Sequence, residues 1–336
     1  MATITDVCKL AGVSKATVSR VLNGTAQVKE STRRAVFDAI DQLGYRPNSL
    51  ARALANNSGN SLGLVVSDFE GAYFGTLLKQ AALSAEQHGK QLIVTDGHDD
   101  PERERDAVHL LADRRCDAIV LYSRFMSEAQ LAGLKAGLAI PLVVINRELP
   151  AELGPSVCFE QAGAARLMMD HLIGLGHRRI ACITTPIQAP TGQTRLEGYR
   201  AALGANDIAV DPQLIEHGDS HLEGGYLACR RLLERGMAFT ALFAFNDDMA
   251  VGALRALHEA GIRVPQQVSV AGFDNEPMSA YSQPALTTVE LPIQAMTRHA
   301  MQLALELAEG RPAPAPMRFR GRLVLRESVT APNTSD

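Results

Sequence analysis

The sequence predicts an α/β protein with a small all-α head in front of two α/β lobes built on parallel sheets. Three observations predict it. The first sixty residues show helical spacing and no strand-like run. A Pro/Asn/Ser/Gly-rich stretch, "GYRPNSLARALANNSGNS", follows them. From residue 62 onward, short apolar runs alternate with helical stretches, the mark of parallel sheets covered on both faces.

The head reads as three helices. "TDVCKLAG" carries Val7, Leu10 and Ala11 at helical spacing, with Thr5 as the expected cap. Gly12 breaks this helix and Ser14 starts the next, with Val13 and Val18 spaced as a hydrophobic staple. A third helix is expected from about Ser31 to Leu43, with Val36, Ile40 and Leu43 on one stripe and Gly44 as its stop. These signals give a head over residues 1–46, a hinge helix and linker over 47–60, and a core over 61–336.

In the core, the expected strands are 62–66, 91–95, 118–122, 142–146, 179–184, 241–245 and 267–273. Helical stretches at 72–88, 102–113, 162–174, 192–204 and 247–260 lie between most of them. The polar segment "ELPAELGPS" at 148–156 divides four units from the rest, which gives two lobes. Ligands of such sheets bind outside the carboxyl ends of the strands.

Composition bounds the function. Of 336 residues, 46% are hydrophobic and 21% charged, a folded globular balance. No apolar run reaches the ~18–20 residues that span a membrane. The start "MATITDVCKL" lacks the order of a signal peptide, so the cytoplasm is the expected compartment. Five scattered cysteines read as reduced thiols and not as a disulfide frame or metal site. The charge is uneven. Residues 1–60 hold eight Lys/Arg against four acids, net +4, which leaves 25 basic and 33 acidic residues, net −8, in the remainder. A basic head on an acidic body is suited to a polyanion.

"GVSKATVSRVLN" sharpens that expectation. At about 100° per residue, Lys15, Ala16, Ser19, Arg20 and Asn23 fall within an arc of about 140°. Thr17, Val18, Val21 and Leu22 fill the opposite side, where they are expected to pack on Val7, Leu10 and Val36. The exposed arc holds no acid. Two short helices joined by "AGVS" form a helix-turn-helix whose second helix fits a major groove. Ser14 and the free N–H groups beside it suit a phosphate oxygen. Lys15 and Arg20 can donate to guanine, and Ala16 leaves room for a thymine methyl.

"TITDVCKLAGVSKATVSRVLNG" through "GYRPNSLARAL" resembles the DNA-binding head of the lactose/galactose repressor (LacI/GalR) family. The resemblance continues through "GLVVSDFEGAYFGTLLK", "RRCDAIVLYSR", "LGHRRIACIT", "RLEGYRAAL", "AFNDDMAVGALRALHEAGIRVPQQVSVAGFDN" and "PALTTV", nearly the whole chain. It implies a homodimeric regulator that binds double-stranded operator DNA and a small sugar or glycoside effector, with a core like that of periplasmic binding proteins. The expected DNA contacts are Thr5, Ser14, Lys15, Ala16, Thr17, Ser19, Arg20 and Asn23 in the head, with Asn48, Ala51 and Leu54 in the hinge.

The hinge segment "PNSLARALANN" places Leu50, Ala51 and Leu54 at helical spacing, but roughly nine residues is below the ~12–15 at which an isolated helix holds in water. It is expected to need a second copy or DNA. The resemblance implies that Leu54 wedges between base steps in the minor groove, as such side chains do to bend an operator.

Polar residues at the strand ends are Asp68, Asp96, Ser123, Asn146, Asn246 and Asp274, and Arg195 opens "RLEGY". The resemblance gives Arg195, Asn246 and Asp274 as principal hydroxyl-binding positions, joined by Asn146. Such groups can each hold two adjacent hydroxyls. Tyr73 and Phe74 can stack on a ring, and Ser123 completes the expected effector set. Ser220 and Cys158 stand where many relatives place bulky side chains, which predicts a roomier pocket.

The sequence predicts no enzyme, no cofactor and no metal site. "GNSLG" at 59–63 has the G-x-S-x-G pattern, but a linker precedes Ser61 and a strand follows it, the reverse of a nucleophile elbow. No P-loop or H-E-x-x-H is present. Two alternatives remain at this point. A sugar-binding transport protein would carry an export signal and no basic head. A corepressor-type regulator would share every feature above.

Overall fold

The computed structural model describes residues 2–23, 28–45, 59–186, 189–314 and 316–333, and the chain divides into two compact units, Met1–Gly59 and Asn60–Asp336. The expected hinge contacts Asn48, Ala51 and Leu54 lie outside the described residues.

The first unit holds α1 (Ile4–Ala11), α2 (Lys15–Asn23) and α3 (Glu30–Leu43). Thr3, not Thr5, caps α1. Its side chain accepts from the Asp6 N–H while the Asp6 carboxylate accepts from the Thr3 N–H, a reciprocal box that needs a carboxylate three residues after the cap. Thr5 lies within the first turn, exposed. Ser14 caps α2, its Oγ accepting from the Thr17 N–H at 3.2 Å. Gly44 ends α3 in the left-handed region at φ 58°. Val7, Val18, Val21, Val36 and Ala39 form the core of this unit. Leu10, expected in that core, is 47% exposed, because its position on α1 faces away from both other helices.

The second unit carries two parallel sheets. One has the order β11-β5-β4-β3-β1-β2, made of β1 (Ser61–Val66), β2 (Gln91–Asp96), β3 (Ala118–Tyr122), β4 (Leu142–Ile145), β5 (Ser156–Phe159) and β11 (Met317–Phe319). The other has the order β7-β6-β8-β9, made of β6 (Ile180–Thr184), β7 (Ile215–His217), β8 (Ala241–Ala244) and β9 (Ser269–Ala271). The seven expected strands are all present, 118–122 with its bounds unchanged and the others with ends moved by at most two residues. Helices α4 (Gly71–Gln87), α5 (Pro101–Asp113), α6 (Glu128–Ala136) and α11 (Ile293–Ala308) cover the first sheet. Helices α7 (Gln161–Gly174), α8 (Pro190–Ala205), α9 (Leu222–Glu234) and α10 (Asp247–Glu259) belong with the second.

The two lobes are not the two contiguous halves that the polar divider predicts. Ser156, the last residue of that segment, opens β5, which pairs with β4 in the first sheet. The chain then crosses to the second lobe and returns, α11 packing on α4, β3, β4 and β5 and β11 pairing with β5. A third piece, β10 (Thr288–Glu290) paired antiparallel with β12 (Arg322–Val324), joins the crossing segments. A short strand flanked by Pro and Gly carries no local signal of which sheet it will join.

Close helix packing in the second lobe rests on glycine. A Cβ on Gly198 of α8 would lie 2.3 Å from the Ala162 carbonyl oxygen of α7, and one on Gly252 of α10 would lie 2.0 Å from that of Leu222 on α9. The close approach of α7 and α8 brings Gln161 against Arg195. No helix among the described residues is long and apolar enough to cross a membrane.

Candidate functional site

In the head, the second helix of the helix-turn-helix presents Lys15, Ala16 and Arg20 exposed, with Thr17 and Ser19 half-buried. Ser14 is exposed but its hydroxyl is engaged, capping the helix and contacting Thr17 Oγ1 at 2.9 Å. Asn23 ends this helix. The first turn carries no acid, so its positive dipole end is unopposed.

In the core, a cleft lies at the carboxyl ends of both sheets. Tyr73, Phe74, Asn146, Arg195, Asn246 and Asp274 line it, as does Asp68. Tyr73, Phe74 and Tyr122 form an edge-to-face cluster with ring centroids 5.2–6.0 Å apart. From the second lobe, Arg195 lies over the Phe273 ring, its guanidinium carbon 3.7 Å from the ring centroid.

A buried chain of hydrogen bonds links the lobes. Arg195 Nε donates to Gln161 Oε1 at 2.7 Å, Gln161 Nε2 donates to Asn146 Oδ1 at 3.0 Å, and Asn146 Nδ2 donates to the Tyr122 hydroxyl at 2.9 Å. Arg195 also donates to the Phe245 carbonyl. Its Nη2 lies 3.5 Å from Asp274 Oδ1, a Coulombic contact that leaves this oxygen buried without a hydrogen bond. The Tyr73 hydroxyl and Thr185 Oγ1 are likewise buried and unpartnered, and both residues line the cleft. Orphaned buried polar atoms are costly, and three in one cleft mark a place for a polar ligand.

Local backbone sets these groups. Asn246 caps α10, its Oδ1 accepting from the Met249 N–H while Nδ2 donates to the Ser220 carbonyl. Asn146, Ser220 and Asp274 hold positive φ values of 64°, 77° and 108°. Non-glycine residues in that region store strain of about 1–3 kcal/mol each, and such residues gather at ligand sites.

Not every expected residue arrives. Ser123 does not line the cleft: its Oγ donates to Glu104 Oε2 at 2.5 Å inside the first lobe. Burial of that glutamate raises its pKa to about 7, partly offset by the Ser123 bond. Asp96 pairs with His98. Cys158 is buried within β5, its thiol directed at the Met317 carbonyl of β11. Sequence reasoning missed Glu70, Tyr122, Arg124, Thr185, Thr191, His221, Asp248 and Glu276, all of which line the cleft. Tyr122 and Arg124 were legible as positions at or just after a strand's end. Asp248 has only its place in the first turn of α10.

Burial pushes the Asp274 carboxyl up to about 7 despite Arg195, and burial together with Asp274 and Asp248 pushes Glu276 up to about 8. Their ordinary values are 3.8 and 4.5. A raised carboxyl contributes stability that is full below its unfolded pKa and lost as pH rises through its folded one. The ligand-free core is therefore expected to melt at a lower temperature at pH 8.5 than at pH 5, with Asp274→Asn flattening the fall. An identical slope in the variant would show that Asp274 does not titrate as its burial requires.

A helix-turn-helix unit joined in one chain to a two-lobed core with a polar cleft defines a class: DNA-binding regulators switched by a small ligand. A sequence profile described as "Bacterial regulatory proteins, lacI family" matches residues 3–48, and one described as "Periplasmic binding protein-like domain" matches residues 169–329. The HTH-type transcriptional regulator AscG of Escherichia coli (strain K12) is 42% identical over 335 residues, covering 99% of this chain and 100% of that protein. The HTH-type transcriptional regulator GalR of the same strain is 40% identical over 334 residues, covering 99% and 97%. A solved structure of the lac repressor dimer bound to operator and the anti-inducer ONPF matches with a TM-score of 0.90 at 28% identity, covering 98% and 99%. The chain belongs to the lacI family of bacterial regulatory proteins, and it is a DNA-binding transcriptional regulator. These relatives are regulators and not enzymes, and they match through the head as well as the core, which removes the transport-protein reading.

Proposed function

We propose that this protein represses a sugar-utilisation operon as a homodimer, and that a sugar or glycoside held in the cleft controls its affinity for the operator. The observation that carries the reading is the set of three unpartnered buried polar atoms, on Tyr73, Thr185 and Asp274, beside the Arg195–Gln161–Asn146–Tyr122 chain. Hydroxyls suit them because one hydroxyl both donates to a carboxylate and accepts from a phenol. The aromatic cluster supplies an apolar ring face.

In this reading residues 1–46 form the head, 47–60 the hinge and 61–336 the core. Lys15, Ala16, Arg20 and their neighbours Thr17, Ser19 and Asn23 face the major groove, with Thr5 and Ser14 at phosphates. Tyr73, Phe74, Asn146, Arg195, Asn246 and Asp274 hold the effector. Arg195 and Gln161 belong to the second lobe and Asn146 and Tyr122 to the first. A ligand that alters this chain therefore biases how the lobes close, and the hinge reads out that bias. The coupling is bounded by the ligand's difference in affinity between the two states.

A labelled-DNA shift assay with and without candidate sugars tests the reading. A shift that no sugar alters would reject it. In the same assay Leu54→Ala should weaken specific operator binding while leaving sugar affinity in place, since the effector residues of this reading all belong to 61–336. Equal operator affinity and DNA bend in variant and parent would remove the wedge.

A further inference from the structure

A second contact joins the lobes, built from one arginine and one serine. Arg124 follows β3 in the first lobe, and Ser220 stands between β7 and α9 in the second. Arg124 Nη2 donates to Ser220 Oγ at 3.1 Å. Neither residue belongs to a segment that crosses between the lobes, so the path of the chain does not force them together. Their contact exists only while the lobes hold this arrangement.

The first lobe aims the guanidinium. Glu104, buried on α5, accepts from Ser123 Oγ at 2.5 Å and from the Arg124 backbone N–H at 3.3 Å. Ser123 Oγ in turn accepts from the Met126 N–H at 3.3 Å, which closes the turn after β3. Asp99 Oδ2 then takes Arg124 Nη1 at 3.1 Å. A planar guanidinium held at one nitrogen has the direction of the other set for it. The second lobe presents its acceptor as firmly. Ser220 sits at φ 77°, its carbonyl accepts from Nδ2 of the α10 cap Asn246 at 2.6 Å, and Asp219 Oδ1 takes the His221 N–H at 2.8 Å. The Arg124 side chain is only 15% exposed, so water competes weakly for a bond whose donor is charged.

We propose that Arg124 and Ser220 form a clasp between the lobes that sets their resting balance before an effector enters, with Asp99 and Glu104 positioning the arginine. A charge-assisted hydrogen bond made in one arrangement and lost in another shifts the balance about tenfold or more. The clasp itself does not depend on what the cleft binds. Its effect on DNA rests on the reading above that the hinge follows the lobes, and ligand-free operator affinity then moves with the clasp.

The test measures the distance between the lobes by pulsed electron–electron resonance in the full-length protein. Spin labels go on His109→Cys in α5 and Ala201→Cys in α8, both exposed positions, in a Cys8→Ser background. The other four cysteines are buried, and dilution with unlabelled chain keeps labels on separate copies from mixing. Ser220→Ala removes only the acceptor hydroxyl and keeps the carbonyl that Asn246 holds, so it decides the point even where Arg124→Gln does not fold. In both variants the population at longer distance should grow about tenfold, and the double variant should add nothing to either alone. A Ser220→Ala distribution that superimposes on the parent's, or additive shifts in the double variant, overturns the clasp. Ligand-free affinity for an operator selected from randomised DNA should move at least about threefold, in the same direction in both single variants. Lobes that shift while operator affinity stays fixed overturn the clasp's control of DNA, and the effector reading is judged separately by the shift assay with sugars.

Discussion

Asp274→Asn should lower effector affinity about ten- to a hundredfold and leave ligand-free operator binding in place. The carboxylate is the buried acceptor without a hydrogen bond, and the amide that replaces it has the same shape. Losing one partner of a buried hydrogen bond costs about 1–3 kcal/mol, and more when that partner is charged. Arg195 keeps Gln161, the Phe245 carbonyl and the Phe273 face, so the fold survives the change. Arg195→Ala is a harsher test of the same site. It strands Asp274 beside an unmatched Gln161, and breaking a buried pair from one side typically costs about 3–5 kcal/mol of stability. Calorimetry with the true sugar, paired with an operator assay, reads both effects. With a ligand that releases DNA, Asp274→Asn represses permanently. With a ligand that tightens DNA, it fails to repress. Unaltered sugar affinity in both variants would show that the effector does not bind in this cleft.

The second large effect belongs to the head. Replacing the Lys15–Ala16 pair, by Lys15→Val alone or by Lys15→Tyr with Ala16→Gln, should change the preferred operator half-site while the head stays folded. Both residues are exposed, and the core of the head is Val7, Val18, Val21, Val36 and Ala39, none of which is altered. A bidentate base contact is worth about 1–3 kcal/mol of discrimination, so preference at the contacted base pair should move by up to about a hundredfold. Selection from randomised operators measures it. An unchanged consensus would mean that another segment reads the bases. A residue touching only phosphate should behave differently, weakening all sequences alike and flattening the salt dependence.

The sequence alone determined what nearest neighbours along the chain can decide. Helix periodicity, the Gly44 stop and the Ser14 cap are local, and so the three helices of the head were legible. Even the one misplaced cap was written locally, since Thr3 and Asp6 have the spacing of a reciprocal box that Thr5 lacks. Apolar runs marked seven strands of the two parallel sheets, and the polar residues at their ends included Asn146, Asn246 and Asp274. Tertiary structure alone decided which strand joins which sheet. Ser156–Phe159 joins the first sheet by pairing with β4 across the polar divider, and the return of Ile293–Phe319 depends on a pairing with β5 across more than a hundred residues; neither leaves a periodic trace. The same holds for the cleft. Ser123 stood at a strand end like the others, yet Glu104 takes its hydroxyl, while Asp248 and Glu276 came to line the cleft beside residues of the opposite lobe. Spacing along a chain fixes which face of its own element a side chain occupies. Which distant charge it meets there is fixed only when the elements pack.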